Sequence, residues 1–181
     1  MAPIQERYLI TGIGTDVGKT FVAATLVAGL EADYWKPVQA GVRPMTDSEW
    51  VRRTLNLPQQ RIHPEAFLLD AAESPHSAAR KQGLYISLED IKLPETNRPL
   101  IIEGAGGVMV PLNEDEELFI DLFRLWEAPV VLVVDVYLGC INHTLLTLEA
   151  LSVRQIPIKG LARPGSRIIY QQLCGGAGVG A

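Results

Sequence analysis

Tyr8-Leu9-Ile10-Thr11-Gly12-Ile13-Gly14-Thr15-Asp16-Val17-Gly18-Lys19-Thr20-Phe21 joins a short apolar run to a helical pattern through a glycine-rich turn that ends in Gly-Lys-Thr. Glycines let a backbone turn tightly so that its amides point inward, and the following helix start adds partial positive charge. A lysine at position 19 reaches terminal phosphates, and the Thr20 hydroxyl is placed to bind Mg2+. The stretch therefore reads as a phosphate cradle. A dinucleotide fingerprint starting at Gly12 needs Gly or Ala at position 17, where Val17 stands, so the nicotinamide reading fails. The standard nucleotide loop wants its first glycine at position 13, where Ile13 stands; Gly12 lies one residue further out, which makes the loop a lengthened variant.

Outward from this loop, short apolar runs bounded by Gly, Pro or Asp alternate with helical stretches, the mark of parallel strands linked by crossover helices. Strands are predicted at 8–11, 34–36, 100–102, 130–134 and 158–162, and helices at 20–31, 47–55, 120–126 and 142–153. The expected fold is α/β: a single-domain, mostly parallel sheet flanked by helices, of the P-loop NTPase type. A chain of 181 residues, 48% of them hydrophobic, suits one core. The formal charge of -5 gives nucleic-acid binding no support, and no apolar run approaches the length of a membrane helix. The N-terminus lacks a signal-peptide pattern, so the expected location is cytoplasmic. Cys140 and Cys174 are too few for a disulfide framework and read as free thiols. No acid follows Glu149, and residues 164–181 form an atypical glycine-rich tail, expected to be flexible or truncated.

Magnesium between phosphates prefers oxygen ligands. Glu103 follows the apolar run 100–102 and is expected at the carboxyl edge of the sheet beside the loop; Asp47 is the other candidate, although it suits a helix N-cap nearly as well. Asp135, at the end of another apolar run, is a secondary candidate for pairing with Lys19 or with a metal-bound water. Lys36, at a strand end before Pro37, supplies a second fixed cation for a transferring phosphoryl group. His76 and His143 read as caps or packing residues, His63 as a loop residue, and Trp35, Trp50 and Trp126 as core or half-buried packing.

Five blocks in this order resemble the dethiobiotin synthetases: Thr11-Gly12 through Thr20; Lys36-Pro37-Val38 with Gly41; Ser74-Pro75-His76; Glu103-Gly104-Ala105-Gly106-Gly107 with Pro111-Leu112; and Leu138-Gly139-Cys140-Ile141-Asn142-His143. The resemblance covers roughly residues 8 to 162. It implies a ligase that closes a cyclic urea on 7,8-diaminononanoate (diaminopelargonic acid) with CO2 and ATP as co-substrates. Carried over residue by residue, Thr20, Asp47 and Glu103 would hold Mg2+, and Lys19 and Lys36 would be the catalytic cations. Asp16, Val17, Gly18, Lys19, Thr20 and Phe21 would wrap the nucleotide, joined by Asp47, Glu103, Gly104, Ala105 and Gly106. Thr15, Asp16 and Ala40 would lie near the substrate. The family's homodimer places sites at the subunit interface, where Gly139, Cys140, Ile141 and Asn142 would catch the substrate carboxylate from the neighbouring subunit.

The chain departs from the family's pattern in two places. Members carry an asparagine after the last strand that reads the adenine edge; Pro164 stands there, with neither a side-chain amide nor a backbone N–H. The expectation is weakened nucleotide affinity or selectivity with the chemical groups intact. Ala40 replaces a serine that touches substrate in many members, leaving a hydrogen bond missing or supplied by Gln39. Three other readings compete with the ligase. A partition-type ATPase switch needs another lysine early in the loop, where Gly14 stands; a cobyrinic acid amide synthase needs a glutamine-hydrolysing domain for which there is no room. A degenerate binding chain rests only on the odd C-terminus.

Overall fold

The computed structural model describes residues 6–165. Strands β1 (Arg7–Gly12), β2 (Asp33–Trp35), β4 (Ile62–His63), β6 (Leu100–Gly107), β7 (Val130–Val133) and β8 (Ile158–Ala162) form one sheet in the order β4-β2-β6-β1-β7-β8, and every pairing in it is parallel. Helices α1 (Lys19–Gly29), α2 (Asp47–Thr54), α3 (Pro75–Lys81), α4 (Phe119–Trp126) and α5 (Cys140–Val153) connect the strands. The central strands are buried on both faces, which is why their sequences are continuous apolar runs with no alternation.

Register decides which residues meet. Tyr34 pairs with Ile101 and Trp35 with Ile102, so Trp35, Ile102 and Leu9 share one face while Tyr34 and Ile101 share the other. On the first face Trp35 packs against Trp126 of α4 with ring centroids 5.5 Å apart, and Phe119 and Phe123 meet edge to face. Helix α1 covers the second face, burying Val22, Ala23, Leu26 and Val27. The tryptophan reading therefore holds: Trp35 and Trp126 are core, and Trp50 is half-buried.

Strands β3 (Val38–Ala40) and β5 (Phe67–Leu69), which form a separate two-stranded parallel sheet, were not anticipated, nor were β4 and α3. The strands are two or three residues long, too short to show a period. Helix α3 carries a local signal, Pro75 in its first turn. His63 is corrected from loop to strand: it lies in β4, 3.2 Å from Asp33. Glu103 does not follow its strand but lies within β6, which runs on to Gly107. Among the described residues no helix is long and apolar enough to cross a membrane. Cys140 is a free thiol, while Cys174 and the tail beyond Gly165 lie outside the described residues.

Candidate active site

The loop between β1 and α1 is shaped by two left-handed residues, one close approach and one hydrogen bond. Gly18 adopts a left-handed φ of 88° as the N-cap of α1, and Asp16 is also left-handed at 59°. A Cβ on Gly12 would come 2.5 Å from Val17 Cγ2, so only glycine lets the buried Val17 anchor the turn. Lys19 turns back across the loop and donates to the Gly14 carbonyl at 2.7 Å. Lys19 is nearly buried, and burial together with the neighbouring Lys36 cation lowers its pKa to about 8, although Glu103, Asp47 and Asp16 pull the other way.

Lys36, one residue beyond β2, is buried between two carboxylates. It donates to Asp47 Oδ2 and, at 3.0 Å, to Glu103 Oε1. Burial alone would lower its pKa, but Glu103 and Asp47 outweigh that and raise it, so Lys36 is a permanent cation. Glu103 is completely buried and also accepts from Thr20 Oγ1 at 2.8 Å and from the Tyr34 hydroxyl at 2.8 Å. Asp47 opens α2, where Thr46, not Asp47, is the N-cap; the Thr46 side chain accepts from Glu49 N. That frees the Asp47 carboxylate for Lys36. The Asp47 amide donates to Gln39 Oε1 at 3.1 Å, and Gln39 Nε2 donates to the Gly41 carbonyl at 2.9 Å.

These groups line one cleft of about 780 Å3 at the carboxyl ends of β1, β3 and β6, with Thr15, Asp16, Lys19, Thr20, Lys36, Asp47 and Glu103 on its walls. Lys19, Lys36, Asp47, Glu103 and the Thr20 hydroxyl converge there, the arrangement needed to hold a polyphosphate and a small cation together. Among the described residues no group of three or more His, Cys, Asp or Glu side chains could cage a metal ion. The donors of the cleft are all hard oxygens, which fits Mg2+ shared with phosphates and water better than a protein-only metal site.

A family model described as an AAA domain matches residues 6–165. The ATP-dependent dethiobiotin synthetase BioD of Cytophaga hutchinsonii is 53% identical over 163 residues, which cover 90% of this chain and 78% of that protein. The protein of the same name from Afipia carboxidovorans is 51% identical over 88% of this chain and 76% of its own length, and that from Brucella ovis is 49% identical over 88% and 74%.

The chain belongs to the dethiobiotin synthetase family. It is accordingly an ATP-dependent ligase that forms carbon–nitrogen bonds, and the switch, amide-synthase and degenerate readings fall away. In this dethiobiotin synthetase fold, Ala40, Ala105 and Gly106 join the cleft wall, whereas several other expected residues do not. Val17 is buried beneath the loop, Phe21 is half-exposed, and Gly104 faces Phe123 on the α4 side of the sheet. Gly139, Cys140, Ile141 and Asn142, at the start of α5, are absent from the cleft wall. Asp135 is corrected: it is exposed, accepts from Val136 N at 2.7 Å, and among the described residues forms no ion pair with Lys19. Gln39 is occupied by the backbone of its own loop and by Asp47, so its side chain orders the turn between β3 and α2. His143 meets the Tyr137 hydroxyl at 2.7 Å through Nδ1, and His76 Nδ1 is buried outside this cleft without a hydrogen-bond partner. Sequence reasoning assigned no site role to Tyr34, Glu73 and Ser74, and of these only Ser74, in the Ser-Pro block, carried a signal.

Proposed function

We infer that this chain closes a cyclic urea on 7,8-diaminononanoate with CO2 and ATP, releasing dethiobiotin, ADP and phosphate. The observation that carries the reading is the convergence of Lys19, Lys36, Thr20, Asp47 and Glu103 in one cleft directly behind the glycine loop. One substrate amine adds to CO2 to give a carbamate. A carbamate oxygen attacks the γ-phosphorus of ATP, breaking the bond to ADP, and the resulting mixed anhydride loses phosphate when the second amine closes the ring. Lys19 and the buried Lys36 would stabilise the charge on the transferring phosphoryl group. Thr20, Asp47 and Glu103 would hold Mg2+, which when bound supplies charge neutralisation at the phosphates. The amides of Asp16, Val17, Gly18, Lys19, Thr20 and Phe21 would cradle the nucleotide, with Ala105 and Gly106 on the opposite wall. Thr15, Asp16 and Ala40 would border the diamine.

A homodimer completes the reading. The start of α5 and the segment before it expose Leu138, Ile141 and Leu145 at 103%, 74% and 60%, an apolar surface suited to burial against a second copy. Gly139, Cys140, Ile141 and Asn142 would then border the substrate carboxylate of the neighbouring site, with the amides of Gly139, Ile141 and Asn142 donating to it while the Cys140 amide is held by the Tyr137 carbonyl at 3.0 Å. The carboligase domain would span residues 1–163, in a cytoplasmic enzyme with no nucleic-acid partner. Phosphate release measured with each substrate omitted in turn tests the assignment. Release that requires both 7,8-diaminononanoate and bicarbonate supports it; release indifferent to either refutes it.

A further inference from the structure

The two oxygens of the Glu103 carboxylate have different partners. Oε1 accepts from Thr20 and Lys36, at 2.8 and 3.0 Å, while Oε2 accepts from the Tyr34 hydroxyl at 2.8 Å. Register explains the third contact. Tyr34 and Lys36 lie two residues apart along the path of β2, and Ile101 and Glu103 two residues apart on β6; Tyr34 pairs with Ile101, so all four side chains are placed on the α1 face. The Tyr34 ring is fully buried, and its hydroxyl meets Glu103 from within the core.

Nothing intrinsic to a glutamate fixes the plane of its carboxylate, because its last torsion is broad and roughly two-fold. Hydrogen bonds must do so. Thr20 and Lys36 both hold Oε1, which leaves the carboxylate free to rotate about that end unless Oε2 is held as well. A tyrosine hydroxyl holds it without adding a second positive charge, so the negative charge facing the cleft is retained. We propose that Tyr34 is a positioning residue for the reaction: by engaging Oε2 it keeps Glu103 turned toward Thr20 and Lys36, in the orientation that receives the magnesium–nucleotide complex. This rests on the reading of Thr20, Asp47 and Glu103 as magnesium ligands.

Tyr34→Phe removes the hydroxyl and keeps the ring. Calorimetric titration of the full chain with a non-hydrolysable ATP analogue, in EDTA and across a Mg2+ series, separates positioning from packing, with turnover followed over the same Mg2+ series. With the hydrogen bond to a charged group lost, the half-saturating Mg2+ concentration rises about tenfold, while analogue affinity in EDTA stays within about twofold of wild type. In a Glu103→Gln background the same substitution adds less than about twofold, because the effect passes through that carboxylate. A lowered thermal midpoint with unchanged Mg2+ dependence makes Tyr34 a packing residue only and overturns the proposal. An equal Mg2+ effect in both backgrounds overturns it too. Wild-type analogue binding that is indifferent to Mg2+ is a separate outcome: it overturns the magnesium reading itself, and this inference with it.

Discussion

Lys19→Met is expected to abolish turnover and yet stabilise the nucleotide-free protein at neutral pH. Lys19 is nearly buried, with a folded pKa of about 8 against 10.5 in the unfolded chain, chiefly because burial and then Lys36 disfavour its charge. The sign follows from linkage: between pH 8 and 10.5 the unfolded chain binds more protons at this site, so wild-type stability rises with pH across that window. Below it the native state carries the whole penalty, about 3 kcal/mol for a shift of this size at 1.36 kcal/mol per unit. Losing the hydrogen bond to the Gly14 carbonyl offsets about 1 kcal/mol of this, and methionine retains the buried stem. The variant should therefore be more stable at pH 7 by about 2 kcal/mol, a midpoint increase of about 4–8 °C for a protein of this length. Urea unfolding of both proteins at pH 7 and near pH 10, without nucleotide, checks the size and the pH dependence together. A variant less stable than wild type at pH 7, or a difference that does not shrink toward pH 10, would refute the reasoning. Such a site trades stability of the empty protein for a cation that becomes favourable once polyphosphate arrives.

Lys36→Met leaves Asp47 and the buried Glu103 facing each other without a cation; it should cost about 3–5 kcal/mol in urea unfolding and reduce turnover at least ~100-fold. A Cβ at Gly18 would lie 2.3 Å from Pro164 Cγ, and the position has φ of 88°, so Gly18→Ala should lose at least ~1–2 kcal/mol. Adding Pro164→Ala should restore part of this in chemical denaturation, because it relieves the clash but not the backbone strain. Ile141→Asp with Leu145→Asp, both on exposed α5 positions, should give a folded monomer by sedimentation velocity and lose activity; a dimer of normal activity contradicts the interface. Pro164 offers no donor to a base edge, so ATP and GTP turnover should be similar, and a strong ATP preference would contradict this.

Local chemistry by itself determined the fold class and the loop. Glycines at 12, 14 and 18 followed by Lys19-Thr20, set between an apolar run and a helical pattern, specify a strand, a phosphate-binding turn and a helix start, since each signal lies within a few residues. The all-apolar runs in β6 and β7 likewise announced a parallel sheet covered on both sides. What the sequence could not supply was the meeting of distant residues. Asp47 could not be told from an N-cap until Thr46 took that role, and Asp135 stood as a secondary candidate beside Glu103 until it proved exposed. Tyr34 had no motif; its contact with Glu103, 69 residues away, depends on β2 and β6 lying side by side in one register. Strand pairing and helix docking alone decide which of several chemically similar carboxylates lose their water and acquire fixed donors, and that burial turns them into a site.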